Sequence, residues 1–598
     1  MTEQLDYTPR PEYQRRLELR TKELKHLETL HQSMGRYRIL CFVLICAFAY
    51  ASIGAKLLPE SAIGLPLIAF VVLASRHERI IRRLSSTRKS VQLWKLGLDR
   101  LDGRWDGRGA SGSRFRSSDH PYSEDLNLFG PGSLFELICA ARTRRGEDRL
   151  ADWLSYPVLA EEIVQRQQAV QELTDRLDLR EALALSGDEA TACVDLRPLA
   201  HWAEQTMSPP PPATVLFAWF FSIAAVATTI YAFAVGIRWP VEIAVAAGQI
   251  FAQMRRKRDR AAADQIDRML KDLAVLRDLL GSLEPESFQS ERLRAIAARL
   301  AIQGQPVSAR IRRLAAIVAC RDVMRNQFFS LFGILLLWNT HTAFALERWR
   351  AENGPLTVDW IEALADFEAL VSLARWRYER PESVFPTIET DSAVVEATGL
   401  VHPLLPRATA IANDVSLNSV TRIYIVSGSN MSGKSTLMRT TGVNCVLGLA
   451  GGPVCAESMR LSILHIGASL NTNDSLNAGV SRFYAEISRL KQIVDIAAAS
   501  PPALFLLDEI LHGTNSHDRT LGAEAILHAL SKSGAMGMVT THDLALARIA
   551  EEPELHAINV HFQDEMVDGK MHFDYKLHPG VVARSNAIPL MRAVGLDV

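Results

Sequence analysis

Nine consecutive residues, Gly428-Ser429-Asn430-Met431-Ser432-Gly433-Lys434-Ser435-Thr436, have the types and spacing to hold a polyphosphate. The pattern is GxxxxGK[ST], and it follows the strand-like run Arg422-Ile-Tyr-Ile-Val426, which is the context this chemistry needs. The glycines let the backbone curl so that amide N–H groups point at phosphate oxygens, and a helix starting at the loop adds its positive end. Lys434 is expected at the β- and γ-phosphates, and Ser435 on a Mg²⁺ ion. Some 70 residues downstream, Ala503-Leu-Phe-Leu-Leu runs into Asp508-Glu509. Five apolar residues predict a buried parallel strand, whose C-terminal end delivers two acids to the crevice where such sheets bind ligands. Asp508 suits the Mg²⁺ shell, and Glu509 suits polarising an attacking water. A third run, Gly537-Met-Val-Thr-Thr541, ends at His542. Alone, a histidine there reads as bonded to backbone; after the two preceding motifs it reads as a γ-phosphate contact. Together these residues predict binding and hydrolysis of ATP with Mg²⁺.

The elements that must position them begin past Pro381, where short β-branched runs alternate with helical stretches, the mark of an α/β unit. Upstream the chain is helical and twice turns apolar. Ile39 to Leu58 and Ser61 to Ser75 predict one membrane hairpin; Thr214 to Ile237 and the weaker Pro240 to Phe251, diluted by Glu242 and Gln249, predict a second. Arg36, Arg38, Arg76, Arg79, Arg82 and Arg83 flank the first, and Arg255, Arg256, Lys257 and Arg258 follow the second, whereas the turns hold only Lys56 and Arg238. Basic flanks lie on the cytoplasmic side. Four spans would therefore leave the termini and the α/β unit in the cytoplasm, on an inner membrane. Phe328 to Leu346 is apolar but contains Asn339, Thr340, His341 and Thr342. Counting it as a fifth span would move the nucleotide site to the far side, so it reads as a buried or interfacial helix. Residues 103–126, rich in Gly, Ser and Asp, read as a linker.

The net charge of −1 over 598 residues excludes polyanion binding by bulk charge, so any nucleic-acid site must be a local patch. The basic excess within 255–325 is the candidate patch, but a solvated, lever-like helix pair is the favoured reading of that charge over a DNA-binding face. The seven cysteines have no metal spacing and read as reduced thiols.

These motifs resemble the MutS family of ABC-type ATPases, whose loop reads GPNMGGKST and whose acidic strand reads DEIGRGT, against Asp508-Glu-Ile-Leu-His-Gly-Thr514 here. Thr541-His542 resembles the family's histidine switch. Asp474 to Glu486 is similar to its signature stretch, which implies that Ser481 contacts the γ-phosphate bound by a partner subunit, and hence a homodimer with composite sites. Ser133-Leu-Phe-Glu-Leu, Trp153 to Pro157 and Asp366 to Ala374 resemble the family's core domain. The departures are specific. The mismatch-reading and connector domains have no room here, His512 stands where the family has arginine, and the family's adenine-stacking aromatic falls near Ala410, leaving base preference open.

The expected fold is thus multidomain, with α-helical membrane hairpins, a helical MutS-like core and lever, and a C-terminal α/β P-loop ATPase domain. Its parts are a cytoplasmic helical segment (1–38), a two-span hairpin (39–75), a cytoplasmic helix and linker (76–126), the first part of the core (127–208), the second hairpin (214–253), the lever and second part of the core (254–380) and the ATPase domain (381–598). The expected function is a membrane-anchored MutS-like ATPase coupled to DNA binding or repair. ATP-driven transport or membrane remodelling, or a nucleotide-switched scaffold without mismatch recognition, are the alternatives.

Overall fold

The computed structural model describes residues 9–186, 193–205, 209–263, 266–302, 304–323, 327–429, 432–470, 482–511, 514–542, 544–567 and 570–582. The chain divides into two compact units, Met1–Trp105 with Leu177–Ala192, and Asp106–Arg176 with Cys193–Val598.

The first unit is a long antiparallel helix pair. Helix α1, Pro9–Ala49, is unbroken across the boundary expected near residue 38. Glu12 in its first turn pairs with Arg15 and Arg16, a placement that also suits the helix dipole. Helix α2, Gly64–Leu101, returns alongside. The Tyr13 ring lies 5.1 Å from Trp94 and against Gly97, where any Cβ would come within 2.8 Å of the ring. Buried Glu181, on the short helix Leu177–Leu185, accepts hydrogen bonds from Arg20 (2.8 Å) and from Ser90, binding that helix to the pair. Toward the connection the pair turns apolar and exposed, with Ile39, Phe42, Leu65 and Ile68 facing outward.

The second unit joins helices to a sheet. Helices α3 (Arg144–Ser155) and α4 (Ala160–Thr174) are followed by the apolar α5 (Pro212–Val235) and by α6 (Trp239–Ala263). Then come α7 (Val307–Val323), the short α8 (Gln327–Leu335) and α9 (Trp338–Glu379), a helix of 42 residues. At 1.5 Å per residue α9 is about 60 Å long. Its C-terminal part is held on all sides. Glu368 accepts the N–H groups of Arg142 (2.7 Å) and Thr143 (3.2 Å), Arg375 donates to Leu137 O and Cys139 O, and the Trp376 indole donates to Pro453 O at 3.2 Å.

Three helices among the described residues are long and apolar enough to cross a membrane: Pro9–Gly54, Ser61–Leu101 and Pro212–Val235. The fourth expected span, within α6, is not among them, because Glu242 and Gln249 interrupt its apolar run. Phe328 to Leu346, read as one buried or interfacial helix, instead spans α8 and the start of α9. Their axes bend by 72°, and the first of the two has an exposed apolar surface.

Beyond Pro381 the α/β unit forms as expected. Its four-stranded sheet runs β1 (Thr387–Glu389), β5 (Ser458–Ser462), β2 (Val395–Leu400), β3 (Asn413–Leu417). The six-stranded sheet runs β10 (Lys570–Pro579), β9 (Ala557–Val567), β4 (Ile423–Ser427), β8 (Met536–Thr541), β7 (Ala503–Leu507), β6 (His465–Ser469). All its neighbours are parallel except the β9–β10 pair. Strands β4, β7 and β8 are buried at every residue, as the continuous Ile/Val/Leu/Phe runs dictate for a parallel sheet covered on both faces. The stretch expected to be a linker does structural work from residue 106 onward. Pro121 O accepts from Ala468 N (2.8 Å) and Asp125 Oδ1 from Leu470 N (2.8 Å), so the segment is a strap over the edge strand β6. Composition reads as a linker; unpaired edge N–H groups give the same residues a partner.

Candidate nucleotide site

The site forms where β4, β7 and β8 end side by side. Strand β4 leads into the Gly428–Thr436 loop, and helix α10, Lys434–Leu449, leads out of it. Gly433 has φ +110°, a conformation that a side chain would strain, and a Cβ there would lie 3.3 Å from the Tyr575 ring. Asn430 and Met431 lie outside the described residues. The Lys434 ammonium folds back over the loop and donates to Gly428 O (2.9 Å) and Ser429 O (2.8 Å). Burial lowers its pKa, and the opposing charges of Glu509, Asp508 and Asp564 hold the proton on. The Ser429 and Ser432 hydroxyls beside it are buried without a hydrogen-bond partner. A loop that keeps a buried cation and two orphaned hydroxyls is a socket for an anion rich in acceptor oxygens.

Asp508 and Glu509 follow β7. Asp508 Oδ2 accepts from Ser435 Oγ at 2.6 Å, and Oδ1 accepts from Thr540 Oγ1. The two expected metal residues thus touch directly. A serine hydroxyl and a carboxylate are the hard oxygen donors that Mg²⁺ takes, so this pair fits the ion. Thr540, in turn, accepts the Glu509 N–H at 2.9 Å. Glu509 has φ +47°, and its Oε1 accepts from His542 Nε2, so both the backbone and the side chain of the expected general base are fixed. Beside them lies a cavity of about 250 Å³ lined by Glu509, Arg519, Thr540, Thr541, His542 and Leu546. A larger polar cavity of about 460 Å³ flanks α10, between Thr436, Arg439, Arg489, Arg116 and His402.

Every described residue of the sequence-derived set therefore converges: Gly428, Ser429, Ser432, Gly433, Lys434, Ser435, Thr436, Asp508, Glu509 and His542 occupy the ends of three adjacent strands. Ser481 lies outside the described residues. The helix that follows it, α11 (Arg482–Ala497), carries buried Glu486, whose carboxylate accepts Leu511 N just past the acidic pair. Sequence reasoning missed Thr540 and Tyr575, and it named Glu486 only as the end of the signature-like stretch, without a role. Thr540 stands two residues before His542 in a β-branched run, so strand propensity alone explained it. Tyr575 sits in a hairpin strand with no motif around it, at φ +55° and 44% exposed, its carbonyl accepting from Asn413 Nδ2 at 2.9 Å.

Residues 424–597 match the family model for MutS domain V. The chain is 34% identical over 199 residues to the DNA mismatch repair protein MutS of Lactobacillus delbrueckii subsp. bulgaricus, a match covering 33% of this chain and 23% of that protein. It is 32% identical over 231 residues to the DNA mismatch repair protein MutS of an Exiguobacterium species, covering 38% and 27%. It is 31% identical over 242 residues to the DNA mismatch repair protein MSH3 of Phaeosphaeria nodorum, covering 39% and 21%. The similarity lies in the C-terminal part of the chain, and the chain spans only about a quarter of the length of these relatives.

Proposed function

We propose that this chain, whose residues 424–597 match MutS domain V, is a membrane-anchored ATPase that binds Mg-ATP at Gly428–Thr436 and hydrolyses it. One observation carries the reading: Thr540 ties the metal-side acid Asp508 to the backbone of Glu509, while His542 holds the Glu509 carboxylate. The orphaned hydroxyls and Lys434 bind the phosphates. Ser435 and Asp508 would hold Mg²⁺, which would supply charge neutralisation for the phosphates. Glu509 orients the attacking water and takes its proton, and His542 keeps that carboxylate aimed. The exposed Tyr575 ring against Gly433 offers the adenine a stacking face in place of the aromatic missing near Ala410. A second copy supplies Ser481, so ATP closes a homodimer and hydrolysis opens it. The apolar helices hold the protein in an inner membrane with the ATPase domain in the cytoplasm. The relatives' names motivate DNA as the partner of the cycle.

The test is ATP turnover by the lipid-reconstituted full chain, alone and with duplex, mismatched and branched DNA. Glu509→Gln should retain ATP binding and lose turnover. Turnover undiminished by Glu509→Gln overturns the catalytic assignment, and identical rates and no binding with every DNA at low salt remove DNA from the reading.

A further inference from the structure

We infer that α8, Gln327–Leu335, is a half-inserted membrane segment that enters the bilayer beside α5 and turns back at Leu336–Leu337 without crossing. The inference rests on the reading that α5 lies in a bilayer, and adds a contact that the spans alone do not contain.

Three observations carry it. The first is the surface of α8: Leu331 is 75% exposed, and Phe329, Phe332 and Ile334 are also open. They continue the exposed apolar face of α5, where Phe220 is 63% exposed and Phe217 and Ile223 lie bare. Scattered apolar residues on a surface are ordinary; a contiguous aromatic and leucine face calls for an apolar medium.

The second is the treatment of the break. Leu337 takes φ +48°, which opens the backbone between α8 and α9. Ser222 on α5 donates to Leu336 O at 3.0 Å, and Gln249 on α6 donates to Ile334 O at 2.9 Å. His341 then meets Ser222 Oγ at 3.1 Å. In water a helix break needs no such service, because solvent satisfies the freed carbonyls. In a bilayer it is tolerated only where neighbouring helices do so. The same Gln249 that spoils α6 as an apolar span is the donor the break requires.

The third is length and return. Nine residues of helix reach about 14 Å, under half of a hydrocarbon core of about 30 Å. On α9 the chain soon becomes charged, and buried Glu347 pairs with Arg258 at 3.0 Å, within the basic cluster Arg255–Arg258 near the C-terminal end of α6. The Arg255 guanidinium covers the Phe344 ring at 4.6 Å. The segment therefore leaves on the side it entered. Because α9 runs from the break at Leu337 to Trp376, whose indole donates to Pro453 O, one helix links the end of the half-helix to the nucleotide fold. A change of packing around α10 that moved α9 would be felt in the lipid.

The experiment places single cysteines at Leu331, Phe220 and Lys257 of an otherwise cysteine-free full chain, reconstituted in phosphatidylcholine–phosphatidylglycerol vesicles and labelled with a nitroxide. All three positions are exposed, so no core contact is lost. Collision with oxygen and with a water-soluble nickel chelate is read for each. The labels at Leu331 and Phe220 should meet oxygen freely and nickel about tenfold less than the Lys257 label. If the Phe220 label is open to nickel, the membrane reading of α5 itself fails. If Phe220 is lipid-exposed while Leu331 meets nickel as Lys257 does, α8 lies in water and the inference falls. If the Leu331 label meets neither probe, protein covers it and the inference falls equally.

Discussion

Replacing Thr540 by valine tests the chemistry at its least obvious point. The two side chains have nearly the same shape, and the position is buried, so packing survives. What goes is a hydroxyl that donates to Asp508 Oδ1 and accepts Glu509 N–H at 2.9 Å. A hydrogen bond to a carboxylate contributes ~1.5–3 kcal/mol and a neutral one ~0.5–1.5 kcal/mol, so roughly 2–4 kcal/mol of positioning is removed. Glu509 is the residue most exposed to that loss. Its φ of +47° is unfavourable for a side chain by ~1–2 kcal/mol, and without Thr540 its peptide is free to relax and carry the carboxylate off His542. Phosphate binding rests on Lys434 and the loop, which Thr540 does not touch. The deficit is thus expressed in the transition state, and at 1.36 kcal/mol per decade kcat should fall roughly 30- to 1000-fold. The Kd for ATP should move less than about threefold. Steady-state turnover, equilibrium binding of a fluorescent ATP analogue and thermal unfolding of wild type, Thr540→Val and Thr540→Ser separate the terms, since serine restores the hydroxyl. A folded valine variant with near-normal kcat, or a serine variant as damaged as valine, refutes the argument.

Three further outcomes follow from the same geometry. Ser435→Ala removes the hydroxyl 2.6 Å from Asp508 and should raise the Mg²⁺ concentration for half-maximal turnover roughly 10- to 100-fold, read by titrating Mg²⁺ at saturating ATP. Tyr575→Ala should weaken ATP binding by ~1–3 kcal/mol while Tyr575→Phe preserves it, measured by equilibrium binding; equal affinities of all three proteins remove Tyr575 from the base site. His402 is held at about 4 by burial first and by Arg439 second. Its folded pKa lies below the ordinary value of 6.5, so its stabilisation is complete above pH 6.5 and is lost as pH falls toward 4, by up to about 3 kcal/mol. His402→Gln, which keeps an acceptor for Leu404 N–H, should flatten that window in thermal unfolding profiles; parallel profiles count against it.

The positions of the glycine-rich loop and the acidic pair were legible because a phosphate-binding pattern fixes the spacing of the loop, and because a parallel strand buried on both faces has to be apolar. Thr540 was not legible, since its hydroxyl matters only through two partners that lie 31 and 32 residues away in sequence. The strap at Pro121–Asp125 was misread because composition reports flexibility and says nothing of an unpaired edge strand waiting for it. Sequence reading also joined α8 to the start of α9, and the reason is instructive. A hydropathy window sums polar residues as a cost. It cannot separate one that prevents insertion from one that makes insertion workable by satisfying a broken backbone. Gln249 and His341 both lowered the apolar score of their segments. In the fold, Gln249 donates to Ile334 O, and His341 meets the serine that caps Leu336 O. Where two weak apolar segments each carry a polar residue, a hydrogen bond from that residue to a neighbouring helix lowers the cost of placing both in a bilayer.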